Sequence, residues 1–399
     1  MLGHLPTFPL VVDFRFWEFG VHLPSMEDVD SIIAALGHRD RICKITLKIP
    51  LGLFHKFTPM MQESFLALTD LHLHSFSKWD SARDLSSSFL GGSAPRLRSL
   101  FLENIPFRGL PKLLISAQDL VSLQLQKIPQ SGYISPDVIA TCLSCLTRLE
   151  KLRVGFLSCP PRPDPPSQHP SLTRVELPAL AHFSFNGANE YLEDFVARIN
   201  APLLLHIRVS FFNRSQLDIS HLSQFIGAGN FQVPRHGILQ VSSRSTYVKF
   251  SLHEDSGKGT TLAFYISCTP SRRQISSLEE ISRSSSSPFR LSSLEHLDIL
   301  DGASPECWER DMENTRWLWL DLLRIFTNVK DLYLCKEPAV RVARVLRGLT
   351  VETAATVLPV LRCIFIKGNQ QSATVQTSIR PFISARQLFG NPVSVHVWE

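Results

Sequence analysis

Residues 94–130 read APRLRSLFLENIPFRGLPKLLISAQDLVSLQLQKIPQ, and this stretch contains the pattern Leu-x-x-Leu-x-Leu twice, at 97–102 and at 120–125. Successive side chains of a strand point to opposite faces, so the second and third leucines of each copy share one face. Each copy therefore predicts a short strand whose leucines face a core and whose intervening residues face solvent.

The same pattern, relaxed to apolar-x-x-apolar-x-apolar, recurs along the whole chain. Its eleven copies start at Val11, Ile42, Leu68, Leu97, Leu120, Leu149, Leu180, Leu204, Leu294, Val329 and Leu361. The first eight copies start 23 to 31 residues apart. That spacing is close to the period of leucine-rich repeats.

A polar row runs in register with the apolar pattern. The residue two places after each start is Asp13, Lys44, Asp70, Ser99, Ser122, Lys151, His182, His206, His296, Asp331 or Cys363. Ten of these eleven residues are polar, which indicates a solvated sheet face on the side opposite the core.

Capping residues predict helices between the strands. The predicted helix starts are Ser25, Ser135, Asn189, Ser220 and Asn314, and the helix from Asn189 is predicted to extend to Ile199. Strands that alternate with helices predict an α/β fold. With this period the fold is a leucine-rich-repeat solenoid, with a parallel concave β-sheet and helices on the convex side.

The repeats are predicted to be irregular. The asparagine that commonly stands eight places after the start of a repeat is present only at Asn369, and most copies have an apolar residue there. The turns that follow the strands must therefore satisfy their backbone groups in another way.

Three regions are predicted along the chain. Residues 1–232 form the N-terminal part of the solenoid, 233–290 form degenerate repeats or a β-rich insertion, and 291–399 form the C-terminal repeats and cap. The middle region holds β-like runs at 238–241, 247–252 and 261–266, with a turn or hairpin loop at 253–259. Continuation of the solenoid is favoured, because the 90 residues from Leu204 to Leu294 equal about three repeats. Residues 159–170 and 282–289 read as surface loops.

Motifs for catalysis are missing from the sequence: it has no phosphate-binding loop, dinucleotide fingerprint, nucleophile elbow or zinc-protease helix. Cys142-x-x-Cys145 has a metal-like spacing, but Cys142 lies on the apolar face of a predicted helix and reads as a core thiol. We therefore expect that the protein is not an enzyme and that it has no cofactor and no metal site.

Two polar clusters have both a functional and a plain interpretation. His182, His206 and His296 share the polar row, as a protonatable patch or as ordinary surface residues. Arg341, Arg344 and Arg347, with Lys336 nearby, make a basic helical stripe that either meets phosphate or an acidic partner or is simply a solvated face. The plain interpretation is favoured for both clusters.

Bulk composition narrows the classes of partner. The net charge is +5 and charged residues make up 19% of the chain, which gives no strong attraction to nucleic acid. No apolar run approaches the roughly 18 residues of a membrane span, and the N-terminus has no basic segment typical of a signal peptide. We expect a monomer without nucleic-acid or membrane partners, in the cytoplasm or nucleus.

Several stretches carry more specific sequence information than the repeat period alone. They are DVDSIIAALGHRDRICKITL (28–47), the span 89–156, EYLEDFVARINAPLLLHIRVSFFNRSQLDISHLSQFI (190–226), LSSLEHLDIL (291–300) and RQLFGNPVSVHVWE (386–399). Together they resemble the large fungal family of F-box proteins with leucine-rich-repeat-like C-terminal regions. The resemblance covers nearly the whole chain.

The resemblance implies a substrate receptor of a cullin–RING (SCF) ubiquitin ligase, whose F-box docks the Skp adaptor and whose repeats hold a target protein. No F-box is recognisable here, since Leu5-Pro6 runs into a strand-like segment. The Skp adaptor is therefore an expected partner only if an F-box lies upstream. The alternative is a stand-alone scaffold or decoy that binds targets without recruiting a ligase, and a truncated gene product would have this character.

The expected contact surface for the unknown target protein is the polar side of the sheet in the middle repeats. Repeat solenoids present such extended surfaces to their partners. The candidate contact residues are Lys151, Arg153, His182, Ser184, His206 and Arg208.

Overall fold

A computed structural model describes residues 8–16, 25–76, 85–158, 174–212, 219–228, 235–242, 247–253, 261–267, 291–301, 312–335, 337–368 and 372–398. The chain divides into an N-terminal unit, Met1–Leu204, and a C-terminal unit, Leu205–Glu399. The two surface loops predicted at 159–170 and 282–289, Asn369, and the predicted boundaries near 232 and 290 lie outside the described residues.

The N-terminal unit contains seven strands of one parallel sheet, which follow one another in chain order. With a separate two-stranded pair, β7 and β9, the strands are β1 (Leu10–Arg15), β2 (Ile42–Ile49), β3 (Asp70–Ser75), β4 (Ser99–Glu103), β5 (Ser122–Ile128), β6 (Lys151–Phe156), β7 (Val175–Glu176), β8 (His182–Gly187) and β9 (Ile199–Asn200).

The helices of this unit are α1 (Met26–Leu36), α2 (Leu51–Phe57), α3 (Leu110–Ser116), α4 (Pro136–Leu143) and α5 (Asn189–Val196), with short 3-10 segments at Thr58–Met61, Phe89–Gly92 and Gln130–Gly132. Ser25 and Ser135 cap α1 and α4 through their hydroxyls, as predicted. The prediction for α5 was wrong at its end, because Ile199 lies in β9 and pairs with Val175.

The apolar pattern forms the buried side of this sheet. From β2 to β8, both pattern residues of every strand are buried: Ile45, Leu47, Leu71, Leu73, Leu100, Leu102, Leu123, Leu125, Leu152, Val154, Phe183 and Phe185. The copy at Val11 was assigned wrongly. Val11 is 59% exposed and pairs with Lys44, so the first strand is displaced by two residues from the predicted register.

A turn hydrogen bond repeats at the start of successive copies. The backbone amide of the first leucine donates to the carbonyl three residues earlier, as in Leu97 to Ala94, Leu120 to Ala117 and Leu149 to Leu146. The first leucine therefore closes a tight turn that delivers the chain into the next strand.

Asn104 satisfies a buried backbone group at the end of β4. Its φ is 61°, its side chain is buried, and its Nδ2 donates to the carbonyl of Ser75 at 2.9 Å, on the preceding strand. Asparagine accepts the left-handed conformation better than other side chains do. One turn is thus satisfied by an asparagine seven places, not eight, after the start of the copy.

Asn104→Ala is expected to lower the free energy of unfolding by about 2–3 kcal/mol, since alanine loses the hydrogen bond to a buried carbonyl and strains the left-handed backbone. Asn104→Gly removes only the hydrogen bond and should lose less. Chemical denaturation of the three proteins checks this order, and equal losses in both variants would contradict the conformational part of the argument.

The described residues of the C-terminal unit contain eight strands that pair in the order β10-β13-β12-β11-β14-β15-β16-β17. These strands are β10 (His206–Phe212), β11 (His236–Ser242), β12 (Tyr247–His253), β13 (Thr261–Ser267), β14 (His296–Asp301), β15 (Asp331–Leu334), β16 (Cys363–Lys367) and β17 (Ser394–Trp398). Its helices are α6 (Ser220–Gly227), α7 (Met312–Ile325), α8 (Glu337–Arg347), α9 (Val351–Thr356) and α10 (Ser372–Leu388), with a 3-10 turn at Leu291–Ser293.

The three β-like runs of the middle region are confirmed as strands, and they lie out of chain order. β12 is antiparallel to both β11 and β13, so β12 and β13 form the predicted hairpin. β13 pairs parallel to β10, and β11 pairs parallel to β14. The described residues thus form an α/β fold with mainly parallel sheets, interrupted here by one reversed strand.

Arg386 of α10 is a fully buried cation that holds a turn of this unit together. Its guanidinium donates to the carbonyl of Pro359 at 2.7 Å, of Leu361 at 3.4 Å and of Ala355 at 3.5 Å. Burial lowers the pKa of Arg386. The three carbonyls at the end of α9 and before β16 therefore depend on one side chain from α10.

Candidate binding surface

The side of the N-terminal sheet opposite its core carries two in-register polar rows. One row contains Lys44, Asp70, Ser99, Ser122, Lys151 and His182. The other contains Asp13, Thr46, His72, Phe101, Gln124, Arg153 and Ser184. We call this surface the polar face; it exists because residues at alternate positions of each strand point away from the buried leucines.

Four candidate contact residues lie together on the polar face. Lys151 and Arg153 are on β6, and they pair in register with His182 and Ser184 on β8. His182 is exposed and the other three are half-buried. This group presents two cationic side chains beside a histidine and a hydroxyl.

The other two candidate residues, His206 and Arg208, lie on β10 of the C-terminal unit. They pair there with Thr261 and Ala263 of β13. His206 is half-buried and Arg208 is exposed.

Ion pairs and a half-buried histidine, His72, lie at the other end of the polar face. Glu103 is contacted by Lys127 at 2.9 Å and by His74 at 3.7 Å. His72 lies within 3.3 Å of the Ser99 hydroxyl, and its ring centroid is 5.7 Å from that of Phe101. Burial, reinforced by Lys44, lowers the pKa of His72, so this imidazole is neutral at neutral pH.

Sequence reasoning missed the aromatic part of this surface. Phe101 is half-buried among polar neighbours, and the rings of Phe16 and Phe76 are stacked with centroids 5.8 Å apart. An aromatic residue at a solvent-facing strand position was the available signal for Phe101, because such rings are enriched where proteins meet partners.

A second cluster lies on the corresponding side of the C-terminal sheet, over β14 to β17. We call it the acidic–aromatic patch, and its members are Asp298, Asp331, Tyr333, Phe365 and Trp398. The rings of Tyr333 and Phe365 are stacked, with centroids 4.6 Å apart and planes 9° apart. The Trp398 ring stands edge-on to Tyr333 at 6.4 Å.

Histidines and one lysine contact the acidic–aromatic patch. His236 lies 3.3 Å from a carboxylate oxygen of Asp298, and His296 lies 3.0 Å from one of Asp331. Lys367 places its ammonium 5.1 Å from the centroid of the Trp398 ring. His296, assigned to the polar row from sequence, is therefore paired with a carboxylate of the C-terminal unit.

The other sequence candidates have structural roles or lie outside the site. Cys142 is buried, its thiol faces the carbonyl of Pro111 at 3.8 Å, and burial raises its pKa. Arg344 and Arg347 are exposed on α8, and Arg341 is half-buried there, whereas Lys336 is not described. Within the described ranges, no group of three or more histidine, cysteine or acidic side chains is placed to hold a metal ion.

None of the helices that the structure describes has the length and apolar character needed to cross a bilayer. No protein-family model matches the chain. No curated protein is significantly similar to it. The resemblance to fungal F-box proteins therefore stays a prediction based on the stretches quoted above.

Proposed function

We propose that this chain is a non-catalytic protein-binding module that holds its target on the polar face. The supporting observation is the continuity of that face: mainly polar side chains follow one another in register across seven parallel strands, over an apolar layer that is fully buried from β2 to β8. Such a surface offers many evenly spaced hydrogen-bonding and charged groups, which suits recognition of another protein.

The finer architecture belongs to the same proposal: the repeats are those of an irregular leucine-rich-repeat solenoid. Its support is the coincidence of three features in successive copies, namely the apolar pattern, the in-register parallel pairing and the repeated turn hydrogen bond before each strand. Features that recur with the period of the sequence repeat favour one structural unit per repeat.

The biological setting we propose is that of a substrate receptor in a cullin–RING ubiquitin ligase. This step rests on the resemblance in sequence wording to fungal F-box proteins. In that setting the polar face binds the target, and an F-box connects the receptor to the Skp adaptor. The alternative, a scaffold without ligase recruitment, shares the polar face and differs only in the adaptor.

Charge reversal at Lys151 and Arg153 is expected to reduce target capture by about tenfold, because reversed charges at a partner surface repel the groups that were complementary. The measurement is quantitative recovery of co-purifying proteins with the native chain and with K151E/R153E, each tagged at its own locus. Proteins lost from the variant are the candidate targets.

A matched control reverses two exposed charges away from the polar face, Arg96→Glu in the turn before β4 and Lys112→Glu on α3. This pair has the same change in net charge and should retain every target. If K151E/R153E recovers the same proteins in the same amounts as the control, the polar face is not the contact surface.

The same purification distinguishes the ligase receptor from the scaffold without ligase recruitment. Recovery of the Skp adaptor with both the native chain and K151E/R153E supports the ligase receptor, because adaptor docking should not depend on the polar face. Recovery of targets without the adaptor supports the scaffold.

A further inference from the structure

The acidic–aromatic patch brings acidic and aromatic side chains together on the neighbouring strands β14 and β15. Phe365 covers one face of the Tyr333 ring, on the side of β16. On the other side of β15 lies β14, where Asp298 is the in-register neighbour of Tyr333. Asp331 precedes Tyr333 by two residues on the same side of β15. A π face and two carboxylates therefore border the same space.

Two further observations describe the charges around that ring and the orientation of the carboxylates. Burial, together with the charges of Asp331 and Asp298, raises the pKa of Tyr333. His236 and His296 each contact one oxygen, Oδ2, of their aspartate, which fixes the orientation of both carboxylates. The side chains of Asp298 and Asp331 are 25% and 23% exposed, so a group arriving from solvent can reach them.

The chain itself shows that this surface accepts a cation. Lys367 lies over the ring of Trp398 at the other end of the patch, in the geometry of a cation–π contact. The two aspartates lie at the opposite end of the patch, on β14 and β15. The patch is thus negative on β14 and β15 and aromatic from β15 to β17.

We propose that the acidic–aromatic patch binds an extended, arginine-bearing segment of a partner protein, with one guanidinium seated between Asp298 and Tyr333. Arginine fits better than lysine, because a guanidinium is planar, stacks on an aromatic face and donates a fork of N–H groups to carboxylates. This binding surface is in the C-terminal unit and does not depend on the polar face.

The probe is a fluorescein-labelled peptide of alternating glycine and arginine with capped ends, measured by fluorescence anisotropy at low salt. Matched peptides replace arginine by lysine or by neutral citrulline. We expect the lysine peptide to bind about threefold more weakly and the citrulline peptide at least tenfold more weakly. The whole chain carries a net charge of +5, so general electrostatic attraction does not favour the arginine peptide.

Two sets of variants locate the site. Asp298→Asn with Asp331→Asn preserves shape and should weaken the arginine peptide at least tenfold, whereas Asp321→Asn with Glu352→Gln, on α7 and α9, removes two charges elsewhere and should change it less than twofold. Tyr333→Phe keeps the ring and should bind within twofold of the native chain, and Tyr333→Leu should bind about fivefold more weakly.

The proposal is overturned if the citrulline peptide binds as well as the arginine peptide, or if D298N/D331N and its control lose affinity equally. Absence of any arginine-peptide binding at millimolar concentration overturns it as well. K151E/R153E should leave this affinity unchanged, so failure here and failure of the polar face as a target surface are separate results.

Discussion

Arg386→Ala is expected to lower the free energy of unfolding by about 3–5 kcal/mol. The substitution empties the volume of a long, fully buried side chain and leaves the carbonyls of Pro359, Leu361 and Ala355 without their donor. Relief from burying the positive charge offsets part of this loss. The net effect is large because one guanidinium serves three acceptors that no smaller side chain reaches together.

Arg380→Ala is the matched control, since Arg380 is exposed on the same helix and its truncation should cost less than about 0.5 kcal/mol. Arg386→Lys keeps the charge but not the fork of donors, and should fall between the two. Denaturant unfolding measures all three, and amide hydrogen exchange in β16 gives a local readout. A loss in Arg386→Ala no larger than that of Arg380→Ala would show that the buried guanidinium does not stabilise the turn.

Tyr191→Ala, in the N-terminal unit, is expected to lower the free energy of unfolding by about 3–5 kcal/mol. Tyr191 is 2% exposed on α5, and its ring lies 4.7 Å from that of Phe156 and 5.9 Å from that of Phe185, centroid to centroid. Its hydroxyl donates to the carbonyl of Ile134 at 2.9 Å, just before α4. Truncation therefore opens a cavity between the sheet and two helices and also leaves a backbone acceptor unpaired.

Tyr191→Phe distinguishes the contribution of the ring to stability from that of the hydroxyl. It keeps the aromatic contacts and loses one hydrogen bond, so it should cost about 1–2 kcal/mol. Leu66→Ala, at a leucine that is 65% exposed in the same unit, is the control for truncation and should be nearly neutral. Equal stability of the Tyr191→Ala and Tyr191→Phe proteins would mean that the ring contributes nothing.

Alkaline pH gives an independent test of the same residue. Burial raises the pKa of Tyr191 above its ordinary value, so the phenol is neutral in both states below about pH 10. Above that pH the unfolded chain ionises first, and this favours unfolding as pH rises. The native chain should therefore lose stability between about pH 10 and pH 12 faster than Tyr191→Phe does, and identical slopes would contradict a buried neutral phenol.

The period of the apolar pattern predicted the strands and the buried layer because the two depend on the same local rule. A residue such as Leu100 or Leu123 must face the core if its strand is to have a polar side at all. Helix caps were predictable for the same reason, since Ser25 and Ser135 act on amides within three residues of themselves. Local chemistry decides both features.

Features that depend on distant parts of the chain were not predictable. The displaced register of β1 depends on how Val11 meets Lys44, 33 residues later in the sequence. The burial of Arg386 depends on carbonyls 25 to 31 residues earlier, and an arginine in a helix ordinarily reads as a solvated residue. The patch of Tyr333, Phe365 and Asp298 comes from three strands whose separate sequences carry no shared motif.

The reversed strand β12 has a consequence for how the C-terminal unit forms. In the N-terminal sheet each strand pairs with the one that precedes it, so closing a loop of one repeat adds each strand in turn. In the C-terminal sheet His206 pairs with Thr261, and His236 with His296, across much longer loops. β11, β12 and β13 pair with their neighbours in sequence and can assemble first as a block, to which β10 and β14 are then added. Since long-range pairing slows folding, nucleation should favour the sequential sheet, and the pairing of β10 and β14 with this block should be the late, rate-limiting step of the C-terminal unit.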